Sequence, residues 1–215
     1  YYAQGDLDNM FKLVFRSSKF SFYLIFLLSL PIIIEAPYII QLWLGQLPDY
    51  VVPFTRMVVL ISAIDSMASP LMTTCHATGR IKLYQSVVGT LIICNVPISY
   101  CFLKFFDCSP NIVFVVSLCL STLALFIRIW IVRHLIESFP VWKYIKNVLL
   151  LSLVIAALSA VLPSFLHVTM ESSFLTCCIV VLSSLLSTLL LIYLLGLTKG
   201  EKRAIQEIIN NKLHR

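Results

Sequence analysis

Six long apolar runs alternate with short polar segments along the chain, at about residues 18–45, 51–78, 83–106, 110–135, 144–166 and 173–197. Each is long enough to cross a bilayer, which takes about 20 residues at a rise of about 1.5 Å each. Ahead of the first run, Leu7, Met10, Phe11, Val14, Phe15 and Ser18 occupy one helical face, and Asp8, Asn9, Lys12, Arg16 and Lys19 the other. That pattern predicts an amphipathic helix, either lying in the headgroup region with its basic face toward anionic lipid or packed on the membrane domain. Beyond the last run, Thr198 and Glu201 have capping-box spacing, and Ile205, Ile208, Ile209 and Leu213 make an apolar stripe on a basic terminal helix. The expected fold is an all-α integral membrane domain over residues 1–215, a six-helix bundle with amphipathic helices at both ends.

The polar residues inside these runs change the picture. In the first, Glu35 lies between Pro31 and Pro37, two positions where the helix loses a backbone donor. In the second, Ser62, Asp65, Ser69, Thr73 and His76 fall on one face, with Ser66 beside them. A polar stripe on a membrane helix must face protein or water rather than lipid, so this stripe is the leading candidate for function. Arg56 points away from the stripe and is expected to snorkel to the outer interface. In the third run Gly89, Asn95 and Pro97 predict a kink. In the fourth, Ser117, Ser121 and Arg128 share a face, Arg128 being placed either to snorkel or to line a cavity. The fifth run is almost wholly aliphatic and reads as lipid-facing or packing material, with His167 and Glu171 flanking a short outer loop beyond it. Ser183, Ser184, Ser187 and Thr188 in the sixth suit close helix contacts. Glu35 and Asp65 could form a carboxylate pair only if their helices pack at the same depth, which their distances from the outer helix ends permit.

Composition agrees: 60% hydrophobic and 12% charged residues describe an integral membrane protein. The net charge of +6 fits cationic cytoplasmic loops, not nucleic acid. With both termini cytoplasmic, Lys12, Arg16, Lys19, Arg80, Lys82, Arg133, Lys143, Lys146, Lys199, Lys202, Arg203, Lys212 and Arg215 all lie inside, and Lys104 lies outside with the Asp107–Cys108 loop. The seven cysteines show no metal or redox spacing. No phosphate-binding loop, nucleophile elbow, zinc helix or dinucleotide fingerprint is present, and the loops are too short for a catalytic domain. No enzyme, cofactor or metal is therefore expected. The chain starts at Tyr1 without a signal pattern, which suggests a portion of a longer protein.

Four stretches carry a family resemblance: LPIIIEAPYIIQLWLG at residues 30–45, ATGRIKLYQ at 77–85, NVPISY at 95–100 and LLGLTKGEKR at 194–203. They resemble the second half of Wzx-type polysaccharide flippases, in the exporter superfamily that also holds the MATE antiporters. The resemblance implies a MATE-like transporter of two six-helix lobes around a central cavity, this chain being similar to the second lobe. It implies a bacterial inner-membrane protein that moves undecaprenyl-pyrophosphate-linked oligosaccharide repeat units between leaflets by alternating access, driven by a proton or sodium gradient. In the family the first two helices of each lobe line the cavity, which places Glu35, Ser62, Asp65, Ser69 and Thr73 there, with Arg56 and Arg128 as candidate cationic contacts. Implied partners are the lipid-linked oligosaccharide, membrane lipids, the missing N-terminal lobe, and a polysaccharide polymerase and glycosyltransferases. Two alternatives stay open: a drug/cation antiporter of the same fold, and a non-transporting membrane scaffold whose polar stripe is interhelical glue.

Overall fold

A computed structural model describes residues 1–106, 109–171, 173–198 and 200–203. The expected outer-loop residues Asp107 and Cys108, the tail cations Lys199, Lys212 and Arg215, and the terminal amphipathic helix with Ile205, Ile208, Ile209 and Leu213 lie outside the described residues. Among those described, the chain is helical and contains no strand. Six helices are long and apolar enough to cross a membrane: α1 (Leu7–Leu44), α2 (Val51–Ala77), α3 (Ile81–Phe105), α4 (Ile112–Leu135), α5 (Val141–Thr169) and α6 (Phe174–Gly196). This is a multi-pass membrane architecture.

The chain starts α1 at Asp6, whose carboxylate accepts the Asn9 N–H at 3.2 Å and so caps the first turn. The helix then continues, with one break at Glu35, to Gly45, which takes the left-handed conformation (φ 72°) that ends it. The expected separate N-terminal helix is therefore a correction: residues 7–19 are the opening turns of α1, because no Gly or Pro separates them from the first apolar run. Of the two placements open for that segment, the structure shows the packed one. Met10, Phe11 and Val14 are buried, and Phe11 and Phe15 meet Phe139 edge-on at 5.4 and 5.9 Å.

α1 is the central helix, packed on α2, α5 and α6. α2 packs on α4, and α3 reaches the bundle mainly through α4. Pro31 and Pro37 both lie inside α1, and the break falls between them at Glu35, the residue with non-helical torsions (φ −93°, ψ 16°).

The α5–α6 pair shows how a bilayer reverses the usual sorting of residues. Beyond the π-helical turns, the buried positions are Ser152, Ile155, Ser159 and Pro163 on α5 and Thr176, Val180, Ser184 and Thr188 on α6. Leu153, Val161, Leu175, Leu182 and Leu186 point outward. Small residues at Ser152, Ser159, Thr176, Ser184 and Thr188 let the two backbones approach, and the Ser187 hydroxyl donates to the Ser159 carbonyl across the pair at 3.0 Å. Each of these helices also contains one π-helical turn, Ile145–Leu150 in α5 and Ile192–Gly196 in α6.

Candidate functional site

The α2 stripe faces outward. Ser62, Asp65, Ser69 and Thr73 are exposed on the outside of the bundle, whereas Ala63, Met67, Ala68, Leu71 and Cys75 on the other faces are buried. Two of the stripe hydroxyls are satisfied on their own helix, Ser62 by the Val58 carbonyl at 2.9 Å and Thr73 by the Ser69 carbonyl at 3.2 Å. Ser69 and Thr73 also border a cleft of about 310 Å³ against the N-terminal turns of α1.

Asp65 is the stripe residue that reaches across to α4. Its Oδ1 accepts the Ser121 hydroxyl at 2.6 Å and lies 3.5 Å from Arg128 Nη1. The first contact is short; the second is well beyond the about 2.7–2.9 Å of a strong charge-assisted bond. Ser121 thus holds the carboxylate, and the Arg128 contact is loose. Both fall on Oδ1, which leaves Oδ2 without a partner among the described residues. The Asp65 side chain is 49% exposed and that of Arg128 12% exposed, so the acid opens on the outer face while the cation is held within the lobe. Arg128 Nε donates to the Tyr84 hydroxyl of α3 at 3.1 Å. Further along the same groove, Asn95 Nδ2 donates to Ser117 at 2.8 Å and Ser99 donates to Asn95 at 3.2 Å. Asp65, Asn95, Ser117, Ser121 and Arg128 line one cleft of about 170 Å³ between α2, α3 and α4. Of the two placements open for Arg128, the structure shows the cleft-lining one.

Glu35 lies elsewhere. It is 3% exposed, and its Oε1 is 2.8 Å from Nδ1 of His167. His167 is on α5, which runs past the expected end at residue 166 to Thr169, so His167 flanks the following loop from within the helix. A buried carboxylate must find a hydrogen-bond partner, and that requirement is the signal that could have found His167. The two candidate carboxylates are not brought together: Glu35 is bonded to α5 and Asp65 to α4, and none of the clefts described is lined by both.

Arg56 does not line the Asp65 cleft; it turns onto α1 instead. Its Nε donates to the Ile33 carbonyl of α1 at 2.8 Å. Ile33 is four residues before Pro37, so its carbonyl is the acceptor that the proline leaves without a helical donor. Arg56 fills that vacancy from the neighbouring helix. No group of three or more His, Cys, Asp or Glu among the described residues is placed to hold a metal ion.

The chain was compared with protein-family models, curated proteins and solved structures, and none of them matches it.

Proposed function

We propose that this chain is one lobe of a two-lobe MATE-like transporter that flips undecaprenyl-pyrophosphate-linked oligosaccharides across the bacterial inner membrane, both termini cytoplasmic. One observation carries the reading: the polar stripe and the Asp65 carboxylate open on the outer face of the bundle instead of its interior, with Arg128 held just behind them. A charge near the bilayer centre costs about 2.5–3.5 kcal/mol on insertion scales, so lipid is a poor cover for that face. Water in a central cavity, or an opposing lobe, covers it at far lower cost. Arg128 supplies the cation that a pyrophosphate headgroup requires, and Asp65, with one oxygen free, takes the coupling proton or sodium ion. Glu35 and Arg56 act within the lobe, holding the α1 break in shape.

The test is surface-polysaccharide export in a flippase-null strain supplied with both lobes. Asp65→Asn should leave membrane levels near normal and sharply reduce export, because the amide accepts from Ser121 but cannot titrate; Asp65→Glu should retain part of the activity. Near-normal export by the Asn variant would retire the coupling role and leave the stripe as helix glue, the scaffold alternative. The chain alone, presenting only half a cavity, should insert without restoring export. Full rescue by the chain alone would refute the two-lobe reading.

A further inference from the structure

A second cleft, of about 530 Å³, lies between the opening turns of α1 and the ends of α5 and α6. It falls within the roughly 300–1,000 Å³ typical of ligand sites, which the Asp65 cleft does not reach. Both π-helical turns among the described residues border it, contributing Asn147 and Val148 from α5 and Leu195 and Gly196 from α6. Such turns are rare and concentrate at functional sites. Its walls are of two kinds. Phe15, Val148, Leu151 and Leu195 are apolar, while Lys12, Arg16 and Lys19 present three cations from one face of α1.

Among the described residues a single carboxylate pairs with those cations, and it is already committed. Glu201 Oε2 accepts from Lys19 Nζ at 2.9 Å and from the Thr198 N–H at 2.7 Å, the expected capping box closed on its own backbone. Burial pushes the Glu201 carboxyl up, but the bonds from Thr198 and Lys19 outweigh it and hold its pKa below the ordinary value. The anion therefore stays with Lys19. Arg16 is left 3.8 Å from Oε1 with its side chain 52% exposed, and Lys12 bonds the neutral Asn9 side chain at 3.4 Å and feels the Asp6 carboxylate only at longer range. Among the described residues, beside an apolar wall at the polar end of membrane helices, Arg16 is only loosely paired and Lys12 has no carboxylate within ion-pair distance.

We propose that this cleft binds the phosphodiester of an anionic glycerophospholipid, with Lys12 and Arg16 on the phosphate, Asn147 beside it, and the acyl chains leaving along Phe15, Leu151 and Leu195. Free phosphate shares the headgroup chemistry but would leave the apolar wall unused, so the lipid is the better occupant. The site is separate from the Asp65 cleft and does not depend on the transport reading.

The full chain, purified in detergent, is titrated with dioleoyl-phosphatidylglycerol, dioleoyl-phosphatidylcholine or inorganic phosphate, and bound molecules are counted by native mass spectrometry. One phosphatidylglycerol should be retained at least roughly tenfold more tightly than phosphatidylcholine, with inorganic phosphate competing only weakly. Lys12→Ser with Arg16→Ser should weaken phosphatidylglycerol binding roughly thirty-fold, the loss expected of two cations near an anionic lipid. Arg16→Lys should keep most of the binding, which separates lost charge from lost fold. Equal retention of the two lipids by the unaltered chain, or unchanged binding in the double variant, would overturn the proposal. Inorganic phosphate binding as tightly as phosphatidylglycerol would assign the cleft to a free anion and overturn the lipid.

Discussion

The bond from Arg56 to the Ile33 carbonyl predicts a specific coupling between α1 and α2. Pro37 removes the N–H that would satisfy Ile33, and Arg56 Nε supplies a replacement at 2.8 Å. A hydrogen bond to a charged group is worth about 1.5–3 kcal/mol in soluble proteins. Interhelical bonds in membranes measure less, about 0.6 kcal/mol on average and about 1.7 at most, because the unfolded helices find other partners. A carbonyl with no donor on its own helix belongs near the top of that range, so Arg56→Leu should destabilise the lobe by about 1–1.5 kcal/mol. In a Pro37→Ala background the alanine N–H returns to Ile33, and Arg56 should lose most of its value. The two substitutions should therefore couple by about 1 kcal/mol, outside the roughly 0.3–0.5 kcal/mol within which independent sites add. Reversible unfolding in mixed detergent–SDS micelles, monitored by helical circular dichroism, measures all four corners of the cycle. Additivity within that margin would mean that Arg56 does not compensate for the proline, and its observed position would need another cause.

Two further predictions concern the α1–α6 seam. A Cβ at Gly196 would sit 2.9 Å from the Tyr23 hydroxyl and 3.0 Å from its ring, and Tyr23 is buried, so Gly196→Ala should cost about 1–3 kcal/mol by overpacking, read as a lower unfolding temperature in detergent. Because the Glu201 pKa is held below its ordinary value of 4.5, its tie to Lys19 contributes stability that is complete above that value and lost as pH falls through the lower folded one. Stability measured down an acid titration should therefore fall less steeply for Glu201→Gln than for the unaltered chain; parallel curves would refute the linkage.

How much of this was legible depended on whether a signal was local. The second helix was expected over residues 51–78 and is Val51–Ala77, because Gly79 (φ +72°) stops it within a short stretch of chain. The Asp65 stripe was legible because its spacing repeats on one helix; that Arg128 comes to it from α4 was one of two placements left open, since helix pairing is not written in periodicity. The continuity of α1 was missed for a related reason. Lys19 looked like the end of an amphipathic segment, and it is tolerated as a buried residue only because Glu201, 182 residues further on, returns to it. His167 was missed as Glu35's partner across 132 residues.

Arg56 marks a boundary that a stricter reading of the sequence would have moved. A proline inside a membrane helix announces an open carbonyl four residues earlier, and in hydrocarbon no water can satisfy it. Pro37 therefore asks for a donor at the depth of Ile33, eleven residues before the end of α1 at Leu44. The short loop between α1 and α2 makes the two helices antiparallel neighbours, so the donor should come from the first turns of α2. Arg56 is the charged donor there, and it is the residue bonded to Ile33. Hydration draws the Arg56 cation toward the interface, and burial costs it that hydration. The carbonyl's need was the second half of the same balance, and it was already visible in Pro37.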